Sequence, residues 1–286
     1  MKKKNYNVNI DATLGKILNS SFFKHQRLQD QFHIKWMDQK YWEWIVEKYD
    51  LFLDSSIKNE IVPRTIHQIW LGSKVPKKYD IWRNSWIKYN PDFEYILWDE
   101  KKILETGLIN EKQFMQAKNY GVKSDIARYE ILYKFGGIYA DTDFEALKPI
   151  DPRLLSRSFV AGHLFEYKPQ INNALIISEP KCGLLKTVIH NLPEYPGEMT
   201  GLEVLDYSGA NYLSKIIFEN RYLEDILVLP SQYLYPWPSF MKLSNQNPHS
   251  MATEITIGIH HWDASWMKKS LLLRLLNKIK KITLNK

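Results

Sequence analysis

The sequence is poor in cysteine and in long apolar runs. Its one cysteine, Cys182, excludes an internal disulfide and a zinc site built from cysteines. It contains no run of about 18 apolar residues, so a membrane-spanning helix is not predicted. The basic N-terminal start is not followed by the apolar stretch of a signal peptide. We therefore expect a cytoplasmic protein.

Acidic residues are missing from the C-terminal end. Residues 268–286 contain seven Lys and Arg and no Asp or Glu, and the formal net charge of the whole chain is +7. Residues 1–267 are therefore formally neutral, because seven minus seven leaves zero. Binding to a nucleic-acid backbone needs several Lys or Arg on the folded surface, so nucleic acid is not expected as a partner.

Residues 268–286 also have the spacing of an amphipathic helix. A helix with an apolar side and a purely basic polar side is typical of a segment that lies on an anionic membrane surface. This predicts a peripheral protein on the inner face of the membrane. A terminal helix docked on the protein's own core is the alternative. The apolar side would carry Leu271, Leu272, Leu275, Leu276, Ile279 and Ile282.

The remaining composition is that of a folded protein. Hydrophobic residues make up 44% of the chain and charged residues 25%, which is typical of a soluble globular protein. Residues 1–60 show helical spacing and are predicted to form an N-terminal helical appendage. Strand and helix patterns alternate over residues 61–267, which predicts an α/β domain with a Rossmann-like central sheet. Residues 268–286 are the third predicted unit.

The strongest local pattern is a helix that runs directly into an acidic strand. Ser124 is predicted to cap the helix, and Gly136 can supply the left-handed residue that ends it. In the strand "IYADTDF", Asp141 and Asp143 are two residues apart and would face the same side. Mg²⁺ and Mn²⁺ prefer carboxylate oxygens, so a bound cation accounts for the pair. Two solvated surface carboxylates are the alternative.

A second charged pair lies on the predicted helix. Asp125 and Arg128 are three residues apart and share one helix face. The turn after the helix can bring them to the same end of the sheet as Asp141 and Asp143, where open α/β folds bind ligands. A guanidinium at that position can contact a diphosphate or position a sugar hydroxyl.

Three separated blocks of the sequence resemble glycosyltransferase family 32. They are "IVPRTIHQIWLG", "SDIARYEILYKFGGIYADTD" and "IHHWDASW", and they occur in the expected order between residues 61 and 266. The middle block is also similar to the glucosylating domain of the large clostridial toxins. The resemblance implies a GT-A fold, a nucleotide-sugar donor, Mn²⁺ or Mg²⁺ as cofactor, and retention of the anomeric configuration.

The resemblance implies donor-binding roles for residues of the first two blocks. Trp70 would stack on the nucleobase. Asp125 and Arg128 would hold the donor sugar, and Ser124 is counted among the donor-binding residues with them. Tyr139 occupies the place of a ribose or sugar contact. These residues would together form the donor site.

The resemblance also implies a metal site. Asp141 would contact ribose and donor sugar, partly through the metal, and Asp143 would be the principal metal ligand. A late histidine would complete the site, with His261 as the first choice and His260 as the second. Imidazole and carboxylate together are a suitable ligand set for Mn²⁺. A purely structural role for both histidines is the alternative.

Further residues are candidates for contacts near the reacting centre. Trp266 or Trp262 would cover a sugar ring. Asn173 would contact donor or acceptor, although a turn residue that opens a strand is an equally good interpretation. An acidic side chain could meet an acceptor hydroxyl, and the sequence does not choose among Glu166, Glu203 and Asp206.

The sequence therefore predicts a retaining, metal-dependent glycosyltransferase of surface or capsular polysaccharide synthesis. A UDP-sugar is the favoured donor and GDP-mannose the second choice, and the acceptor would be a glycan or a lipid-linked oligosaccharide. One alternative is a non-catalytic carbohydrate- or nucleotide-binding module. Another is a metal-dependent phosphoryl-transfer enzyme acting on nucleic acid, against which the neutral body argues. The predicted catalytic residues are Asp125, Arg128, Asp141 and Asn173.

Overall fold

A computed structural model describes residues 12–27, 38–57, 59–166, 169–223, 225–244 and 246–267, together with residues 273, 274 and 277. In this part of the chain the strands are β1 (Thr65–Ile69), β2 (Glu94–Trp98), β3 (Gly137–Ala140), β4 (Phe144–Ala146), β5 (Phe159–Phe165), β6 (Pro169–Ser178), β7 (Ile226–Leu229) and β8 (Gly258–His260). The α-helices are α1 (Ala12–Leu18), α2 (Ser21–Lys24), α3 (Gln39–Leu53), α4 (Asp80–Tyr89), α5 (Glu100–Glu105), α6 (Glu111–Gln116), α7 (Tyr120–Phe135), α8 (Gly183–His190), α9 (Gly201–Tyr207), α10 (Ala210–Glu219) and α11 (Ser231–Leu234).

Six of these strands form one mixed sheet in the order β2-β1-β3-β6-β5-β7. Strand β1 pairs in parallel with both β2 and β3, whereas β6 runs antiparallel to β3 and β5. Helices α7 and α10 pack on β6, and α4 packs on the short strand β4. Apolar side chains of the central strands are consequently buried. The expected α/β architecture, with a central sheet and covering helices, is confirmed.

The predicted acidic strand is two strands with a turn between them. Strand β3 ends at Ala140, and β4 begins at Phe144. The Phe144 N–H donates to the Asp141 carbonyl at 2.9 Å and closes the turn. Strand β4 then pairs with β8 in a separate two-stranded antiparallel ribbon. Asp141 and Asp143 therefore belong to a turn at the end of the main sheet, and the prediction of one continuous strand through them was wrong.

Helix α7 begins earlier than the sequence pattern indicated. The side chain of Asn119 accepts a hydrogen bond from the Gly121 N–H at 2.7 Å and caps the first turn. Ser124 lies one turn further along, so its predicted capping role was wrong. The end was predicted correctly, because Gly136 has φ +65° and terminates the helix. A side chain there would also collide with Pro180.

The N-terminal helices share the main hydrophobic core. Helix α3 packs against β7, and buried aromatic residues including Phe23 and Trp42 join that core. Within the described residues, none of the helices has the length and hydrophobicity that a membrane crossing requires. Leu273, Arg274 and Asn277 are helical. The rest of the predicted amphipathic segment lies outside the described residues.

Candidate active site

A cavity of about 420 Å³ lies where β1 and β3 end. Parallel strands present their C-terminal ends at one edge of a sheet, so the residues that follow β1 and β3 meet there. Of the ten residues predicted to bind the donor, hold the metal or act in catalysis, nine line this cavity and His261 does not. Those that line it are Trp70, Ser124, Asp125, Arg128, Tyr139, Asp141, Asp143, Asn173 and Trp266.

Three ligand-type side chains converge at the end of β3. Atoms of Asp141, Asp143 and His260 lie within 4.8 Å of one another. His260 Nε2 is 3.2 Å from Asp143 Oδ1 and 3.8 Å from Asp141 Oδ2. All three residues border the cavity. The turn after β3 and the end of β8 thus bring two carboxylates and an imidazole to one point.

The two aspartates have different electrostatic surroundings. Burial raises the pKa of Asp141 and outweighs the opposing effect of the Arg128 guanidinium. Burial acts in the same direction on Asp143, but His260 and the backbone N–H of Asp263 outweigh it and hold the pKa of Asp143 below its ordinary value. That N–H donates to Asp143 Oδ2 at 2.6 Å. Asp143 is therefore ionised over the physiological range.

The structure corrects the choice between the two histidines. His261 Nε2 lies 2.8 Å from Glu145 Oε2, and its ring stacks on Trp82 with centroids 4.3 Å apart. Neighbouring residues at the end of a strand point to opposite sides, so His260 turns into the cavity and His261 turns away. The histidine that faces the two aspartates is His260, the second choice from the sequence.

Asp125 and Arg128 form the opposite wall of the site, on helix α7. The Arg128 guanidinium lies 3.1 Å from Asp125 and 3.2 Å from Asp141, and it donates to the Asn173 carbonyl at 2.7 Å. Its Cζ stands 4.5 Å from the centroid of the Tyr139 ring. The side chain is 6% exposed, so these contacts fix the position of the guanidinium.

Both carboxylate oxygens of Asp125 accept hydrogen bonds. Asn173 Nδ2 donates to one carboxylate oxygen at 2.8 Å, and Ser208 Oγ donates to the other at 2.9 Å. Burial nevertheless raises the pKa of Asp125 to about 6, because Arg128 and the two hydrogen bonds offset only part of the loss of hydration. Asn173 thus positions Asp125 with its side chain and Arg128 with its carbonyl.

The predicted aromatic residues border the same cavity. Tyr139 donates its hydroxyl proton to Asp141 Oδ1 at 2.7 Å. Trp70 is half-buried and packs against Tyr79 with ring centroids 4.8 Å apart. Trp266 packs on α7 at Gly121, where an added Cβ would come within 2.8 Å of the indole. These rings leave flat apolar surfaces at the cavity wall.

Part of the cavity lies in a region that matches a family model. Residues 76–160 match a family described as "Glycosyltransferase sugar-binding region containing DXD motif". These residues of the chain are therefore similar to the DXD sugar-binding region of glycosyltransferases. Asp141 and Asp143 are the two aspartates of the DXD motif, which lies within the matched residues.

The chain is similar to proteins of a yeast and of a virus. Inositol phosphoceramide mannosyltransferase 1 of Schizosaccharomyces pombe is 34% identical over 51% of this chain and 48% of its own length. Inositol phosphoceramide mannosyltransferase 3 of the same yeast is 28% identical over 72% of this chain and 62% of its own length. An uncharacterised glycosyltransferase of Acanthamoeba polyphaga mimivirus is 28% identical over 62% of this chain and 74% of its own. The chain spans roughly half to two thirds of the two yeast relatives.

Solved structures were also found to be similar. The PaToxG glycosyltransferase covers 64% of this chain and 80% of its own, at 18% identity and a TM-score of 0.44. The catalytic domain of alpha-toxin from Clostridium novyi covers 96% of both chains, at 12% identity and a TM-score of 0.44.

The residues around the DXD motif suit a divalent cation. Two carboxylates and one imidazole are a ligand set that Mn²⁺ and Mg²⁺ accept, with further positions left for phosphate oxygens or water. His260 presents Nε2 to the aspartates, whereas its Nδ1 is buried and has no hydrogen-bond partner among the described residues. The ring of His260 stacks on Phe144 with an interplanar angle of 10°. Packing therefore sets the direction in which Nε2 points.

One residue that supports the DXD site was missed by the sequence analysis. The Asp263 carboxylate accepts hydrogen bonds from Lys78, Tyr79 and Lys242, and its backbone N–H reaches Asp143. These contacts fasten the segment after β8 over the cavity. Asp263 is the acidic residue of the block "IHHWDASW", and its presence there was the one hint in the sequence. Its role could not be predicted because Lys78 and Tyr79 lie far away in the sequence.

Proposed function

We propose that the chain is a metal-dependent glycosyltransferase that moves a sugar from a nucleotide-sugar donor to a hydroxyl group of an acceptor. The observation that carries the proposal is the convergence of Asp141, Asp143 and His260 at a cavity within a DXD sugar-binding region. In this proposal the catalytic unit is residues 61–267.

The charges that line the cavity support a cation. Arg128 is the one Lys or Arg among the described lining residues, and it already faces Asp125 and Asp141. A donor diphosphate would therefore meet an excess of carboxylates unless a divalent cation lay between them. The residues that would hold it are Asp141, Asp143 and His260. When bound, the cation supplies Lewis-acid stabilisation of the diphosphate leaving group.

The protein's own residues would orient the donor. Trp70, after β1, offers an indole face for the nucleobase. Asp125 and Arg128, on the far wall, would hold the sugar hydroxyls through charge-assisted hydrogen bonds. Asn173 keeps both of these side chains in place. Because Asp125 and Arg128 are fixed before the donor arrives, little ordering is needed on binding.

The names of the yeast relatives add a preference for the donor. Both are called mannosyltransferases, so GDP-mannose joins the UDP-sugars as a donor to test. Their acceptor is named as a lipid, inositol phosphoceramide, which supports a lipid-linked acceptor or a glycan here. The proposal has three further parts. The transfer keeps the anomeric configuration of the sugar. The enzyme acts in surface or capsular polysaccharide synthesis, and it does so on the cytoplasmic face of the membrane.

A thermal-shift screen of nucleotide sugars with and without Mn²⁺ tests the donor site. A ligand that binds only the folded state raises the melting temperature, and we expect the correct donor to do so only with Mn²⁺ present. Turnover of the stabilising donor is then followed by release of the nucleoside diphosphate. Binding without any release would favour the non-catalytic module. The absence of any Mn²⁺-dependent shift would contradict the proposed site.

The membrane part of the proposal rests on residues 268–286, which are purely basic in their charges. Deleting them should abolish co-sedimentation with vesicles that contain phosphatidylserine. Neutral phosphatidylcholine vesicles serve as the control, because electrostatic attraction to anionic lipid is the expected cause of binding. Unchanged sedimentation of the truncated chain with anionic vesicles would contradict this assignment.

A further inference from the structure

The β5–β6 hairpin extends the cavity beyond the DXD turn. Ala140, the last residue of β3, is paired with Leu175 of β6. Gln170 precedes Leu175 by five residues on β6, and because β6 runs antiparallel to β3 it lies about 17 Å beyond the end of β3 at strand spacing. Glu166 follows β5 directly at the tip of the same hairpin. Both Glu166 and Gln170 line the cavity.

The order of the strands separates this end from the nucleobase end. Trp70 follows β1, the DXD motif follows β3, and the hairpin belongs to the next two strands of the sheet, β6 and β5. Adjacent strands are about 4.8 Å apart, so the DXD turn lies between Trp70 and Glu166 along the sheet edge. A donor that runs from Trp70 to the cation would leave the hairpin end of the cavity to the acceptor.

The hairpin end carries buried polar groups. Glu166 is 4% exposed and Gln170 is 3% exposed, yet both border the cavity. In the part of the chain that the structure describes, the Gln170 side-chain amide has no hydrogen-bond partner. An amide that borders the cavity without a protein partner can donate to and accept from the hydroxyls of a ligand.

A residue of the N-terminal segment, Arg27, holds the Glu166 side chain in place. Arg27 lies 3.5 Å from Glu166 Oε1, and the hydroxyl of Ser239 donates to Glu166 Oε2. Arg27 is itself anchored, because its backbone N–H donates to Ser231 Oγ at 2.7 Å. The Glu166 carboxylate can accept further hydrogen bonds from the hydroxyls of a ligand. Residues next to α2 thus help to build the cavity.

The other two acidic candidates have structural roles. Glu203 accepts a hydrogen bond from the Thr200 N–H at 2.6 Å and forms a capping box at the start of α9. Asp206 accepts a hydrogen bond from Asn211 Nδ2 at 2.8 Å. Neither lines the cavity. Of the three acids that the sequence left open, the structure selects Glu166.

We propose that Glu166 and Gln170 form an acceptor subsite for an uncharged polyol, such as a sugar or inositol ring, with Arg27 as a positioning residue for Glu166. This inference rests on the proposed glycosyltransferase function. A carboxylate accepts hydrogen bonds from hydroxyls, and an amide both donates and accepts them. The Arg27 guanidinium faces Glu166, and among the described residues that line the cavity Arg128 is the one Lys or Arg, so the subsite suits hydroxyls better than phosphate.

The test compares sugar transfer with donor hydrolysis in the full chain. Methyl α-D-mannopyranoside and myo-inositol are the acceptor probes, and the readout is the fraction of consumed donor that becomes glycoside. We expect Glu166→Gln and Gln170→Leu each to lower that fraction about tenfold by raising the KM for the probe, because each removes hydrogen bonds to the acceptor. Total donor consumption should fall much less. Arg27→Met should reproduce the Glu166→Gln effect, and the exposed Glu111→Gln variant is the matched control.

The possible outcomes separate this inference from the proposed function. Failure of the wild-type chain to consume any donor would overturn the proposed function, and this inference with it. Donor consumption by the wild type without transfer to either probe would overturn only the polyol subsite. The subsite would likewise be overturned if the glycoside fraction were equal in wild type and both variants, or if hydrolysis and transfer fell in parallel. Urea unfolding of each variant shows whether a loss of transfer merely reflects a loss of fold.

Discussion

Two acid–histidine pairs lie on opposite sides of the β4–β8 ribbon. On the inner side, Asp143 and His260 face each other at 3.2 Å and border the cavity. On the outer side, Glu145 and His261 are 2.8 Å apart, and the His261 ring stacks on Trp82. The two pairs have the same kinds of side chains at similar distances, but the inner pair lines the cavity and the outer pair is not part of that lining.

The surroundings of each pair explain the difference in role. The outer carboxylate of Glu145 is also 3.1 Å from His249, so two imidazoles surround one acid. The inner acid, Asp143, shares His260 with a second carboxylate, that of Asp141. Two acids around one imidazole leave an excess of negative charge, which a cation can neutralise. An acid–histidine pair by itself therefore does not identify a metal site; a second carboxylate beside the pair does favour one.

The largest expected loss of activity follows from neutralising the inner acid, Asp143. Asp143→Asn should lower kcat/KM for the donor about 1000-fold, because it removes a charged ligand of the proposed cation while keeping the shape of the side chain. The measurement is steady-state release of nucleoside diphosphate over a range of Mn²⁺ concentrations. Isothermal titration should show weaker Mn²⁺ binding by the same variant.

Glu145→Gln is the matched control for Asp143→Asn, since it neutralises the outer acid two residues away. Its activity should stay within about threefold of wild type, because the outer pair contributes at most a modest, partly screened interaction. Equal losses in the two variants would show that the inner and outer pairs do not differ in function. Full activity of Asp143→Asn in the presence of EDTA would eliminate the metal mechanism.

The histidines should show the second-largest contrast. His260→Asn should lower kcat/KM about 100-fold and weaken Mn²⁺ binding, because a neutral nitrogen ligand is lost. His261→Asn should change both quantities less than threefold, since that ring contacts Glu145 and Trp82 on the outer side of the ribbon. Parallel Mn²⁺ titrations of the two variants check the contrast. A larger loss in His261→Asn would restore the first choice made from the sequence.

The contrast also shows where sequence reasoning ends. The DXD turn and helix α7 could be predicted because their information is local: two aspartates in series, apolar spacing and a terminal glycine. The choice between His260 and His261 depends on the register of β8 against β4, which are more than a hundred residues apart. The starting residue of α7 was missed because Asn119 competes with Ser124 as a cap. The hairpin residue Glu166 gave no local signal, since its partner Arg27 lies 139 residues away.

A smaller loss of activity is expected for a substitution of Asp125. This residue is buried like the inner pair, but it is not one of the three residues that converge as metal ligands. Asp125→Asn should lower kcat about 30-fold, because a charge-assisted hydrogen bond to the donor sugar becomes a neutral one. Mn²⁺ binding should change little, in contrast to Asp143→Asn. Isothermal titration and steady-state kinetics of the two variants side by side check this separation of roles.

The pH dependence of stability gives Asp125 a second, independent test. Burial raises its pKa from 3.8 to about 6, so the native state binds the proton more tightly than the unfolded chain. The stability that this proton contributes is complete below pH 3.8 and is lost as the pH rises through 6. The free energy of unfolding of Asp125→Asn, taken relative to that of the wild type, should therefore increase from pH 4 to pH 8 by about 3 kcal/mol at most. Urea unfolding at both pH values measures the gain, and an unchanged difference would contradict the raised pKa.

The smallest expected effect lies farthest from the two acid–histidine pairs, at Trp70. Trp70→Ala should raise the KM for the donor about tenfold and change kcat less than threefold, because stacking on a base is made equally in the ground and transition states. Trp70→Phe should recover most of the affinity by keeping an aromatic face, and free nucleoside diphosphate should show the same ranking as a competitive inhibitor. A large drop in kcat for Trp70→Ala would mean that this end of the cavity takes part in the chemistry. It would contradict the assignment of donor binding to Trp70 and of catalysis to the DXD turn.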